Sequence, residues 1–210
     1  MKELLEVLER DGFVVLRGLG GYDRFEALSQ ELGEIVWKTD VRLKPTVKTH
    51  LCQPEAVPFH TDHPDVDFVA WWCERQEVED GASLLVDSRD VLSSLSKSER
   101  AELRATALPC PAIGSRSTAT ASSSRFILSG EARVYYAPWV AVAGADGFGR
   151  ELANARVTRV RLGRDDALIV DNHRILHGRG AVSQSSPRML HRLWVRREQL
   201  ETASRQQKNL

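Results

Sequence analysis

The sequence predicts a mainly β fold with flanking helices, arranged as an antiparallel barrel or sandwich. Three observations carry this reading. Short β-branched and apolar runs are spread along the chain, helical periodicity is confined to the N-terminal part and one insertion, and regular strand–helix–strand alternation is missing. The length of 210 residues suits one domain, assigned to 1–197, with a polar tail at 198–210 that is expected to fray.

The elements follow in order. Leu4, Leu5, Val7 and Leu8 keep a helical face that Asp11-Gly12 stops. Phe13-Val14-Val15-Leu16 is a buried strand closed by Gly18, Gly20 and Gly21. Tyr22, Phe25, Leu28 and Leu32 recur at three- and four-residue steps, a second amphipathic helix ending at Gly33. From residue 41 the periodicity shortens, and 66–73 and 83–86 are strand-like, with an Asp80-Gly81 turn signal before the second. Trp71-Trp72 lies in the first of these, which sends one ring inward and one outward. Asp87 or Ser88 caps a helix running to Leu95, and Ser96 to Glu99 has capping-box spacing ahead of Leu103. Segment 115–124, almost all Ser, Thr and Ala, reads as a loop near a site mouth. Further strands are expected at 125–128, 133–136, 157–162, 167–170 and 189–195.

Composition narrows the function classes. Hydrophobic residues make up 42% and charged residues 28%, ordinary globular usage that argues against disorder. Lys+Arg and Asp+Glu both number 29, so no basic surplus points to nucleic acid. No apolar run reaches membrane-spanning length, and the N-terminus lacks the apolar core of a signal peptide. Cys52, Cys73 and Cys110 are odd in number and far apart, which reads as reduced structural cysteines of a cytoplasmic protein.

The chemistry centres on Phe59-His60-Thr61-Asp62. In extended chain, residues two apart share a face, so His60 and Asp62 can present an imidazole and a carboxylate to one point. A third arm is offered by Asp171 to Arg179, which carries His173 and His177 directly after a strand. Two imidazoles and one carboxylate on one side of a metal leave its other positions open, the arrangement of non-haem iron(II) oxygenases.

His60-Thr61-Asp62, then Gly81 to Asp87, then Asp171-Asn172 through Leu176-His177-Gly178-Arg179, then Arg188 and Arg192 occur in an order that resembles the taurine dioxygenase superfamily. The Ser83 to Asp87 run looks closest to its γ-butyrobetaine hydroxylase and clavaminate synthase branches, and Asp11 to Gly18 with Leu32-Gly33 is similar to the superfamily's opening. The resemblance spans about residues 5 to 197. It implies a double-stranded β-helix (jelly-roll, cupin-like) core and an Fe(II)- and 2-oxoglutarate-dependent dioxygenase that uses O2. Carried over, His60, Asp62 and His177 are the iron ligands, Arg188 pairs with the far carboxylate of 2-oxoglutarate, and Ser83 assists there. Arg192 matches a second arginine turned toward a substrate anion, and His63, Arg125, Lys48 and Tyr136 are further candidates for the substrate space. An Asp at position 62 separates the chain from related halogenases, so hydroxylation, desaturation or ring formation is implied. The stretch between His60 and His177 is short for the superfamily, which implies trimmed lid insertions.

The expected substrate is a small polar metabolite, an amino acid or a natural-product intermediate, carboxylate-bearing or carrier-tethered. Two rival readings stand beside this one. A zinc hydrolase on the same triad needs a general base, for which Glu55 and Asp65 are the candidates. A non-catalytic β-barrel that binds small molecules is the other.

Overall fold

The computed structural model describes residues 1–44, 46–47, 52–76, 81–113, 121–140 and 144–197. The expected tail at 198–210, Lys48 and Asp80 lie outside the described residues, as does most of the expected loop at 115–124.

Two antiparallel sheets face each other as the halves of a double-stranded β-helix. The larger joins β1 (Phe13–Leu16), β11 (Ala167–Asp171), β4 (Phe68–Arg75), β13 (Met189–Arg196) and β2 (Glu34–Arg42), in that order. The smaller joins β10 (Thr158–Val160), β5 (Ser83–Asp87), β12 (Ile175–Arg179) and β3 (Val57–His60). Two short pairs, β6 (Ala107–Pro111) with β7 (Ala121–Phe126) and β8 (Leu128–Ser129) with β9 (Arg133–Val134), extend one end. The helices are α1 (Lys2–Asp11), α2 (Tyr22–Leu32), α3 (Ser88–Ser94), α4 (Lys97–Ala105) and α5 (Asp146–Asn154).

Alternation along the strands builds three apolar layers. In β4, Val69, Trp71 and Cys73 point between the sheets, where they meet Leu85, Val160, Leu168 and Val170. Phe68, Ala70 and Trp72 point the other way and pack under α1 and α2 against Leu8, Phe25 and Leu32. Trp72 is therefore buried like Trp71, each 8% exposed, and the outward ring expected from the sequence is covered by helix rather than bathed in water. On the far side, α3, α4 and α5 pack Val91, Leu92, Leu103 and Phe148 over the outer face of the smaller sheet.

Local chemistry sets the ends. Gly12 stops α1 at φ +79, where its amide meets the Leu8 carbonyl. Asp87 caps α3 through the Arg89 amide, and Ser96 with Glu99 forms a reciprocal capping box on α4. Residues 121–124 belong to strand β7, not to the loop expected there, because pairing with β6 supplies order that a small polar sequence does not advertise. Strands β2, β3, β6 and β12 and helix α5 went unassigned in the sequence. Cys73 and Cys110 are buried and Cys52 is half-buried, all three as free thiols.

Candidate metal centre

The smaller sheet brings the distant histidines together. In its register His177 of β12 faces His60 at the end of β3 on one side and Leu85 of β5 on the other. The two imidazole centroids lie 4.4 Å apart. The chain leaves β3 after His60, and Asp62 follows in a turn whose shape Asn172 dictates. The buried Asn172 amide accepts the Asp62 N–H at 2.8 Å and donates to the carbonyls of His63 at 3.0 Å and Val66 at 2.9 Å. Asp62 then sits 3.9 Å from His60 Nε2 and 3.7 Å from His177 Nε2.

The three side chains can each offer one ligand atom, all within 4.8 Å of one another. His60 Nδ1 meets the Pro58 carbonyl at 2.9 Å, a bond that fixes the ring and leaves Nε2 for a metal. His177 is buried, and among the described residues neither ring nitrogen has a hydrogen bond, an expensive state unless something is bound there. Burial, and then the proximity of His177, push the His60 ring down to about 3, so it stays neutral as a ligand must. Burial disfavours the Asp62 charge, yet Arg192 and the two histidines outweigh it and hold the carboxyl well below its usual range. Two imidazole nitrogens and an ionised carboxylate fit an iron(II) ion.

A small cavity of about 40 Å³ opens from the histidines into the barrel. Ser83, Arg179, Arg188 and Arg192 reach it, and Val41, Leu85 and Leu168 supply apolar wall. Arg188 is 5% exposed, and its side chain has neither hydrogen bond nor ion pair among the described residues. Burial, and then the charge of Arg179, pull its guanidinium down to about 10. Arg179 gives its Nη2 to the carbonyls of Gln53 and Glu55, at 2.7 and 2.5 Å, and leaves its buried Nε unpartnered. Gly81, at φ +70, lets the Arg188 stem pass, since a Cβ there would come 3.1 Å from Arg188 Cδ and 2.7 Å from Val182.

The residues expected at the substrate meet different surroundings. Arg192 Nη1 donates to both Asp62 oxygens at 3.1 Å, and Trp194 Nε1 donates to one of them at 2.8 Å. His63 has both ring nitrogens engaged, by the Pro111 carbonyl at 2.8 Å and the Asp65 amide at 3.1 Å. Arg125 stands at the surface, paired with Asp65 at 3.2 Å. Tyr136 hydrogen-bonds Thr61 through its backbone, while its ring packs on Phe148 in a separate cavity. His173, the other histidine of the second motif, points away to Arg133 and Asp67. Glu55 and Asp65, the bases a hydrolase would need, are both exposed and line neither cavity beside the triad.

Asn172, Arg179 and Trp194 escaped role assignment in the sequence. The signal for the last two was available, since each lies two residues beyond a motif residue on the same strand face.

No protein-family model matches the sequence, and no curated protein sequence matches it. Solved structures do. An asparagine oxygenase in complex with Fe(II), 2S,3S-3-hydroxyasparagine and succinate aligns with TM-score 0.72 at 19% identity, over 92% of this chain and 78% of that one. The non-haem iron oxygenase OrfP in complex with Fe and alpha-ketoglutaric acid aligns with TM-score 0.70 at 17% identity, over 94% and 78%. PvcB, an Fe, alpha-ketoglutarate dependent oxygenase from an isonitrile synthetic pathway, gives 0.65 at 19%, over 92% and 79%. At such identities the likeness is one of fold: the chain has the double-stranded β-helix architecture of these oxygenases.

Proposed function

We propose that the protein is an Fe(II)- and 2-oxoglutarate-dependent oxygenase that hydroxylates a C–H bond of a small molecule. One observation carries the reading: a buried guanidinium with no counter-charge among the described residues, Arg188, lines the same cavity as two histidines of a His60–Asp62–His177 metal centre. A zinc hydrolase has no use for that cation, and among the described residues no base lies beside the triad.

His60, Asp62 and His177 would hold iron(II), which would supply the oxygen activation that couples conversion of 2-oxoglutarate and O2 to succinate and CO2 with hydroxylation of the substrate C–H. The chain's own part is positioning. Arg188 holds the far carboxylate of 2-oxoglutarate through parallel N–H donors, and the Ser83 hydroxyl assists from β5. Arg179, two residues after His177 and on the same strand face, adds positive potential at the closed end. Arg192 and Trp194 fix the rotamer and charge of Asp62, so Arg192 acts on a metal ligand rather than on a substrate. Leu85, Leu168 and Trp71 keep the cavity dry; Trp71 meets His177 edge-on, with centroids 5.0 Å apart.

The structural neighbours support the chemistry: one is a complex with Fe(II), 3-hydroxyasparagine and succinate, another a complex with Fe and alpha-ketoglutaric acid. Free thiols at all three cysteines accord with a cytoplasmic setting, and no described helix is long and apolar enough to cross a membrane. Anaerobic addition of iron(II) and 2-oxoglutarate tests the reading. A weak visible charge-transfer band of the chelated keto acid is expected, and its absence at saturating metal sinks the proposal.

A further inference from the structure

A second cavity, of about 130 Å³, lies on the other side of the triad and shares Asp62 with it. Its described lining lacks the arginines of the first. Pro109, Pro111, Ala137 and Val140 make apolar wall, and Tyr135, Trp139 and Trp194 add rings. Trp139 also packs on the ligand His60, with centroids 4.9 Å apart, so the aromatic wall reaches the centre itself.

Polar side chains in this wall are already engaged within the protein. Tyr135 donates to the Pro109 carbonyl at 3.0 Å, Thr61 Oγ1 accepts the Tyr136 amide at 3.0 Å, and Trp194 donates to Asp62. His63 is occupied at both nitrogens, as described above. Among the described lining residues none is a lysine or arginine, and the one carboxylate is Asp62, a metal ligand. An amino-acid head group placed here would bring a carboxylate and an ammonium into a space where no described residue is a free partner for either, and unpaired buried charge is strongly disfavoured.

Building on the oxygenase reading, we propose that the substrate presents an uncharged aromatic ring to the centre, seated against Trp139 and Trp194, while its charged parts stay at the cavity mouth. The volume agrees, because an apolar cavity of roughly 150 Å³ accommodates benzene. Aromatic walls add offset or edge-on contacts that a purely aliphatic group does not exploit as well. The C–H bond to be hydroxylated then lies on or beside that ring.

Saturation-transfer NMR on the metal-free chain, repeated on the anaerobic iron(II)–2-oxoglutarate form, tests this with indole, L-asparagine and L-arginine as probes. Indole is expected to give saturable transfer, and the two zwitterions none at equal concentration. Trp139 is 43% exposed, so Trp139→Ala leaves the fold standing, as circular dichroism can verify, and weakens indole about tenfold. Val140→Trp, which fills the space, removes the signal. Equal or stronger transfer from either amino acid overturns the proposal, as does indole binding that ignores both substitutions. Failure is separable from that of the oxygenase reading. A keto-acid band without indole binding sinks only the ring, whereas indole binding without a band sinks only the oxygenase.

Discussion

Arg188→Met is expected to stabilise the ligand-free protein while destroying its response to 2-oxoglutarate. The guanidinium is 5% exposed, and burial, helped by Arg179, lowers it from 12.5 to about 10. At about 1.4 kcal/mol for each tenfold change in protonation, that is a penalty on the order of 3 kcal/mol for keeping the charge in the barrel. Methionine keeps much of the apolar stem and removes the charge, so most of the penalty is relieved. Arg174→Met is the natural contrast. Arg174 is also buried, but it pairs with Asp87 at 2.5 and 2.9 Å and donates to the Glu9 carbonyl at 2.8 Å. The same substitution there breaks this ion pair and leaves Asp87 only its cap to the Arg89 amide, so it is expected to cost about 1–3 kcal/mol.

Urea unfolding measures both effects, and thermal unfolding with and without 2-oxoglutarate reads the ligand. Wild type at a ligand concentration one hundred times its Kd gains about 2.7 kcal/mol, and the Arg188 variant gains nothing resolvable at that concentration. A variant that loses more than about 1 kcal/mol without ligand, or one whose Tm rises with 2-oxoglutarate as wild type's does, refutes the assignment of Arg188 as an unsatisfied anion site.

Asp62→Asn keeps the shape of the ligand but removes its charge, so iron(II) affinity in equilibrium titration falls at least tenfold, on the order seen for perturbed metal shells. Unfolding should also come earlier, since Arg192 loses the carboxylate that both its 3.1 Å bonds depend on. Gly178→Ala drives a Cβ to 2.6 Å from the Val57 carbonyl of β3, with an expected loss of about 1–3 kcal/mol in urea. Because β3 carries His60, metal affinity should fall with it, and unchanged affinity would separate the two. Burial opposes ionisation of Asp67, but the His173 ring 3.6 Å away and a hydrogen bond from the Arg197 amide hold its carboxyl at about 2. Its folded value lies below its unfolded one, so the stability it adds is present above about pH 4 and lost as pH falls toward 2. Discounted for partial exposure, Asp67→Asn should remove about 1 kcal/mol of that acid-side slope in urea titrations at pH 5 and pH 2.5.

What the sequence showed depended on range. Gly12 and Gly33, the Asp87 cap and the Ser96–Glu99 box mark helix ends because their physics is local. Strand β2 has a solvent-edged, mixed pattern in which Lys38 and Asp40 interrupt the apolar residues, and what makes it a strand is pairing with β13 across the barrel. Strand β12 was hidden by its own function, since His177, Gly178 and Arg179 break the apolar run a buried strand normally shows. The triad itself was legible as motifs in order. Its electrostatic setting was not, because the pairing of Arg192 with Asp62 exists only once β13 lies beside the turn that Asn172 holds.

The two cavities can differ so sharply while sharing one centre because each draws on a different part of the fold. The cationic one is fed by residues at or near the strands that form the barrel wall: Arg179 closes β12, Arg192 lies in β13 and Arg188 just precedes it. Rigid strands suit a co-substrate whose carboxylate geometry is invariant. The apolar one is fed largely from outside the main sheets, with Pro109 and Pro111 from β6 and Ala137, Trp139 and Val140 from the segment after β9. Among the described residues that segment meets the centre through the Trp139 ring on His60 and through a reciprocal pair of hydrogen bonds, Thr61 N–H to the Tyr136 carbonyl at 2.9 Å and Tyr136 N–H to Thr61 Oγ1 at 3.0 Å. Apart from Trp139, side chains in it can change without disturbing either the His60–His177 register or the Arg188 cavity, so on the oxygenase proposal selectivity for the primary substrate is free to vary while the metal centre stays fixed.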